Sequence, residues 1–215
     1  MTNIALRIIS DGRWCYLERA LESIEKWFPA HFFSSRRIIN DSGQVFPLAL
    51  PDNYKVTTHD VRLGLAGAVQ SAWSSIGEAP FVFHMEEDFV LNEEPDLDAM
   101  VAVLRGNDRL AQMVLKRQAW SQEEIQAGGI IECHPDDYHD RTTGEHDWVE
   151  HERIFSLNPC LYPAWVTKFG WPRGNEAEMT DILVHLGYSF GFWGKRSDPP
   201  RCEHIGVNRS EGWKL

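Results

Sequence analysis

Cysteine is scarce and scattered in this sequence. The four thiols, Cys15, Cys133, Cys160 and Cys202, form no Cys-x-x-Cys pair, which argues against a disulfide scaffold and leaves free thiols of a reducing compartment as the reading. Long apolar runs are also missing. None approaches the roughly 20 residues needed to span a bilayer, and Met1 to Ile9 has no basic stretch followed by a long apolar one. The expectation is a cytoplasmic protein. Positive charge is in deficit, with 21 basic against 32 acidic residues and a formal net charge of -11. Such a surface repels nucleic acid and anionic membranes at long range, although a local basic groove remains compatible with it.

What is present suits a globular domain. Across 215 residues, 43% are hydrophobic and 12% aromatic, enough for one substantial core, so the reading is a single domain over 1–215. The apolar stretch Ile4 to Ile9 predicts a strand that ends in the turn Ser10-Asp11-Gly12-Arg13. Trp14, Leu17, Leu21, Ile24 and Phe28 then fall at helical spacing, predicting a helix stopped by Pro29. Strands are predicted over Arg36 to Asn40 and Tyr54 to Thr58, and a helix over Ala66 to Ile76. Alternating strand and helix argue for an α/β fold with a mostly parallel sheet. Ligands in open sheets of that kind bind at the C-terminal ends of strands, where Asp11 and Asp41 would lie.

The second half is less regular. A helix is predicted over Asp96 to Arg105, strands over Gln112 to Lys116 and Ile154 to Leu157, helices over Pro163 to Phe169 and Glu176 to Leu186, and an aromatic strand over Tyr188 to Trp193. Residues 117–150 are polar and read as an irregular insertion or lid. On this reading 1–92 and 93–215 are the two halves of one domain.

The most informative stretch is Ala79 to Asn92, where Phe81-Val82-Phe83 leads into Glu86, Glu87 and Asp88 and Phe89-Val90-Leu91 leads out. Buried carboxylates must be paired or bind a metal. One alternative is a solvated turn between two strands; the other is a strand end that presents acids to a divalent cation.

Several motifs in order resemble the GT-A class of glycosyltransferases, and within it short, single-domain, family 2-like enzymes of bacteria or phages. Ile38 to Gly43 is similar to the family strand ending in an aspartate that contacts the nucleotide. Arg62 to Ala68 resembles the segment along the donor. Glu86-Glu87-Asp88 stands in place of the aspartate-any-aspartate motif, with Glu in the first position. Gly174 to Glu178 resembles the acidic helix start that supplies the base of inverting members, and Cys202 to Gly206 the late histidine of the metal shell. The first strand departs from the family pattern by ending in Ser-Asp-Gly-Arg.

The resemblance implies a fold with a Rossmann-like, mostly parallel sheet, flanking helices and a small acceptor-side region. It implies metal-dependent transfer of a sugar from a nucleotide-diphosphate donor, UDP by family habit, to an acceptor hydroxyl, with inversion by direct displacement. Hard oxygen ligands suit Mn2+ or Mg2+. Asp88 is the expected direct ligand, with Glu86 second or through water and His204 adding a nitrogen that favours Mn2+. Glu87, on the opposite side of an extended backbone, would contact the donor. Ser10, Asp11, Arg13, Asp41, Arg62, Gly64 and Arg209 are the remaining donor candidates, the arginines because guanidinium matches phosphate. Glu176 is the expected base, with Glu178 and Asp181 as alternatives.

The acceptor stays open between a glycan and a hydroxymethylated DNA base. Lys116-Arg117, Lys168, Arg173, Lys195-Arg196 and Arg201 are candidates for a basic acceptor-side patch, and Trp120, Trp148, Trp165, Trp171 and Trp193 for a stacking platform. Two rival readings stand beside this one. The first is a non-catalytic nucleotide-sugar-binding protein; the second is a zinc protein using Cys133, His134, His139, Cys202 and His204, although that spacing matches no tight ligand pattern.

Overall fold

The first strand, β1 (Ile4–Ser10), is buried along all seven residues, as expected of a parallel strand covered on both faces. A computed structural model describes residues 3–116, 131 and 134–206. In it β1 pairs in parallel with β2 (Ser35–Asn40) on one side and β4 (Phe81–Glu86) on the other, and β3 (Tyr54–Thr58) extends the sheet beyond β2. The full order is β3-β2-β1-β4-β9-β6-β10-β8-β7, with β6 (Leu110–Leu115), β7 (Tyr138–Thr143), β8 (His146–His151), β9 (Cys160–Pro163) and β10 (Ser189–Trp193). Following the pairings across, seven of the nine strands run one way, and only β8 and β9 run against them. The expected mostly parallel α/β sheet is therefore present.

Period-2 alternation divides the core into two. Ile4, Leu6, Ile8, Phe81, Phe83 and Met85 face one cluster with α1 (Trp14–Trp27) and α3 (Leu97–Arg105). Ile9, Ile39 and Val82 face the other with α2 (Gly64–Ser74) and α4 (Glu176–His185). Two buried arginines close the helix ends at the bottom of the sheet. Arg36 donates to the carbonyls of Phe28 and Pro29 at 3.1 and 2.7 Å, just past α1, and Arg7 donates to the Ser75 carbonyl at the end of α2. Helix C-termini carry unpaired carbonyls and partial negative charge, so cations belong there.

The second half corrects two expectations and adds one element. Residues 138–151, expected to be irregular, form the β7–β8 hairpin, which continues the sheet beyond β10. Residues 154–157 form no strand; the strand is β9, a few residues later. The tail forms β11 (Cys202–His204), which pairs antiparallel with β5 (Phe89–Leu91) in a separate two-stranded sheet. Of the expected lid, residues 117–130, 132 and 133 lie outside the described residues, Arg117, Trp120 and Cys133 among them, and so does Arg209 near the end of the chain.

Because β9 runs against β4 and β6, it is the start of β9 that lies at their C-terminal ends. The end of the segment leading into it, 152–159, therefore sits beside the ends of β4 and β6, together with the N-terminus of α4. No helix among the described residues is long and apolar enough to cross a membrane.

Candidate active site

The ends of β1, β2 and β4 are knitted together by backbone bonds. The Glu87 N–H donates to the Ile9 carbonyl at 2.9 Å, and the Asp41 N–H to the Ser10 carbonyl at 2.8 Å. These bonds carry the turn after β4 against the turn after β1, bringing Glu87 and Asp88 to Arg13. The guanidinium reaches Glu87 Oε1 at 2.8 Å, Asp88 Oδ2 at 2.7 Å and Asp11 Oδ1 at 3.3 Å. Burial alone would lower the basicity of Arg13; the Asp88 and Glu87 charges outweigh it and hold the cation firmly charged.

The three consecutive acids have different surroundings. Glu87 is 2% exposed. Its Oε2 accepts from Ser10 Oγ at 2.5 Å and from the Arg13 N–H at 3.1 Å. Burial, and then a hydrogen bond shared with Asp11, push this carboxyl up to about 7. It thus clamps the two turns together. Ser10 and Asp11 are buried in the same clamp and form its floor.

Asp88 receives His204. The pairing of β11 with β5 and the bond from the Ile205 N–H to the Asp88 carbonyl at 2.8 Å place the imidazole over Phe89, rings 4.8 Å apart. His204 Nε2 then lies 3.0 Å from Asp88 Oδ2. Burial would raise the Asp88 carboxyl, but the His204 hydrogen bond and the Arg13 charge prevail and hold it below its ordinary value. Its other oxygen, Oδ1, is buried with no hydrogen-bond partner. A buried acceptor left open calls for an explanation, and a bound ion is one. Gly206 makes this approach possible: a Cβ there would stand 2.2 Å from Asp88 Oδ2.

Glu86, the last residue of β4, is half-buried. Loss of water, followed by the charges of Asp88 and Glu176, pushes its carboxyl well above the ordinary range. Glu176 thus lies within electrostatic range of Glu86. Asn175 caps α4 by accepting from the Ala177 N–H at 3.0 Å, and Glu178 reaches back to the Gly174 N–H at 3.2 Å. Capping is thus done by Asn175 and Glu178. Glu176 Oε1 instead accepts from the Leu157 N–H at 2.5 Å. Of the three expected base candidates, Glu178 and Asp181 are exposed and only Glu176 is half-buried next to Glu86.

Asp41 holds the start of α2. It is wholly buried, and its oxygens accept from the N–H groups of Leu63 and Gly64 at 2.9 and 2.8 Å, with His59 Nδ1 at 2.7 Å. It thereby caps α2 from outside the helix. Arg62 is exposed and donates to the carbonyls of Asp11 and Ser42 at 2.8 and 3.2 Å. Gly64, at φ 73°, has open space beside it. Of the expected donor contacts, Arg13, Arg62 and Gly64 therefore keep a surface toward solvent.

Three further side chains belong to this architecture: Phe89 beneath His204, His59 behind Asp41, and Gln112 on β6. Only Gln112 left a legible sign, as the polar residue inside Leu-Ala-Gln-Met-Val-Leu. Among the expected stacking residues, Trp148, Trp171 and Trp193 are buried in the core and Trp165 packs on Tyr188. The described residues contain no cluster of three His, Cys, Asp or Glu side chains ready to hold a metal. Among them this leaves the zinc reading without a site, and it leaves Asp88 with His204 as a pair.

No family model and no curated protein matches the sequence. Solved structures do match the fold. S. aureus TarS 1-349 superposes with a TM-score of 0.60 at 13% identity, over 95% of this chain and 60% of that one. GalNAc-T7 with UDP, GalNAc and Mn2+ gives 0.63 at 14%, over 100% and 45%. The mannosyltransferase PcManGT from Pyrobaculum calidifontis with GDP-Man and Mn2+ gives 0.63 at 11%, over 98% and 58%. The chain thus spans 45–60% of the length of these neighbours. Likeness at this level of identity establishes architecture: the chain has a GT-A-type fold.

Proposed function

We propose that the protein is a glycosyltransferase that moves a sugar from a nucleoside-diphosphate donor, UDP-linked by preference, to an acceptor hydroxyl. The observation that carries this reading is the pair Asp88–His204 with its open buried oxygen, set at the end of β4 across from Glu176. Support comes from neighbours of the same fold whose structures contain UDP or GDP-Man together with Mn2+.

A divalent cation suits the residues present. Burial and the charges of Asp88 and Glu176 push the Glu86 carboxyl up, Arg13 offsets only part of this, and Asp88 Oδ1 lacks a partner. Asp88 and His204 are the residues that would hold Mn2+ or Mg2+, with Glu86 adding charge nearby. When bound, the ion supplies Lewis-acid neutralisation of the diphosphate. Arg13 and Arg62 border the donor side and contribute positive charge to it. Glu176 takes the proton of the acceptor hydroxyl. The freed oxygen pair forms the bond to the anomeric carbon while the bond to the phosphate oxygen breaks, and that electron pair leaves with the diphosphate. The anomeric configuration inverts.

The acceptor in this reading is a glycan hydroxyl. Three of the six described members of the basic patch are paired with acids within the protein: Arg196 with Asp140, Arg201 with Glu93 and Asp198, and Lys195 with Asp147. With a net charge of -11, little remains to attract duplex DNA.

The test is a thermal-shift panel of nucleotide sugars with and without Mn2+, since a ligand that binds only the folded chain raises its melting temperature. The donor that shifts most is then assayed for transfer. A Mn2+-dependent shift by a UDP-sugar, with transfer to a glycan acceptor, is the expected result. Binding with neither hydrolysis nor transfer on any acceptor would turn the reading into that of a binding protein.

A further inference from the structure

A glutamine in the middle of a core strand needs a reason. Gln112 lies on β6 among Leu110, Ala111, Met113, Val114 and Leu115 and is wholly buried. The pairing of β6 with β9 and β10 is made by backbone groups, so the sheet does not require this amide. A buried polar group costs stability unless it is bonded. Its amide reaches Cys160 Sγ at the start of β9 at 3.2 Å, and its two short bonds go to one residue of the irregular segment before β9. Gln112 Oε1 accepts from the Ser156 N–H at 2.9 Å, and Nε2 donates to the Ser156 carbonyl at 2.6 Å.

Three successive amides of that segment are held by three side chains. The Phe155 N–H goes to Thr180 Oγ1 at 2.8 Å, that of Ser156 to Gln112, and that of Leu157 to Glu176 Oε1 at 2.5 Å. Thr180 Oγ1 also donates to the Glu176 carbonyl at 2.7 Å. The segment and the first turn of α4 are thereby locked to each other, and Gln112 ties both to the central sheet. Without this tie, nothing in strand pairing fixes 154–158, which belong to no strand or helix.

We propose that Gln112 is a positioning residue: its two bonds to Ser156 set the Leu157 N–H against one oxygen of Glu176 and so orient the other for the acceptor. The inference rests on Glu176 being the base. A hydrogen bond to the charged form of a carboxylate keeps it ionised. Loosening the segment therefore weakens the base in two ways: its aim is lost, and it takes up a proton at higher pH.

The experiment compares Gln112→Met, similar in shape but without the paired bonds, with Gln112→Glu, whose neutral carboxyl can still accept from the Ser156 N–H and donate to its carbonyl. For Gln112→Met the expected result is a kcat about tenfold lower, the value of one bond to a charged group. The donor KM should stay within about twofold, and the acidic limb of the kcat profile should move to higher pH. Gln112→Glu should recover kcat toward the low-pH end of the profile. An unmoved acidic limb in Gln112→Met overturns the proposal; if that variant does not fold, an unmoved acidic limb in Gln112→Asn, whose amide falls one methylene short of Ser156, overturns it. Glu176→Gln is measured alongside. Transfer that survives Glu176→Gln refutes the base reading itself, whereas loss there with an unmoved Gln112→Met profile refutes only the role of Gln112.

Discussion

His204 Nε2 stands 3.0 Å from Asp88 Oδ2, although 116 residues separate the two along the chain. Short-range pairings bring them together: β11 adds to β5, and β5 directly follows the turn that carries Asp88. Removing either member of the pair should remove metal-dependent activity. Asp88→Ala is expected to lower transfer about a hundredfold or more and to abolish the Mn2+-induced rise in melting temperature. Chelation of wild type should have the same kinetic effect, reversed by added Mn2+. Activity in Asp88→Ala that is insensitive to chelator would defeat this account.

Glu176→Gln should lower kcat by about two to four orders of magnitude, the usual range for a lost general base. The donor KM should remain within about twofold, because Glu176 faces the acceptor side in this reading. Pre-steady-state donor binding and steady-state transfer, measured on the same preparation, separate the two.

Glu87 predicts a pH dependence of stability. Its folded-state carboxyl is pushed up to about 7, above the roughly 4.3 of an unfolded chain. Between those values the folded protein holds a proton that the unfolded one has released, so stability falls as pH rises through that window. Glu86, raised in the same direction, adds to the slope. Glu87→Gln should flatten it. Urea midpoints collected from pH 4.5 to pH 7.5 provide the comparison, and an unchanged slope in the variant would place the titration elsewhere.

Asp41→Ala removes the acceptor for two N–H groups at the start of α2. Loss of an N-terminal cap costs about 1–2 kcal/mol, so the urea midpoint should drop accordingly. The donor KM should change little, since the carboxylate is wholly buried. A large rise in donor KM without loss of stability would return Asp41 to the nucleotide site.

The parts of this architecture that could be read from the sequence are those with strong periodicity. Ile4–Ser10 and Phe81–Glu86 are continuous apolar strands because both faces are covered, and α1 shows its buried face at helical spacing. The hairpin went unread because β7 is an edge strand exposed at five of its six positions, so its residues carry almost no apolar signal. β9 is four residues long and ends in proline, too short for any pattern. The acids were found but not sorted, because alternation along a strand says which way Glu87 points and not what waits there. The clamp of Ser10, Asp11 and Arg13 that receives it is a product of β1–β4 register, which no local pattern contains.

The two-stranded sheet of β5 and β11 also imposes an order on assembly. The β1–β4 half of the large sheet, with the Arg13 clamp, is encoded by the first 88 residues and can form while the rest of the chain is being made. β5 waits for a partner more than 100 residues downstream, a contact that closes late because its loop is long. A chain ending at Pro200 would keep Asp88 and Glu176 yet lack the imidazole that pairs with Asp88. Charge at the end of β4 is thus in place early, and the histidine beside it arrives only with the final strand.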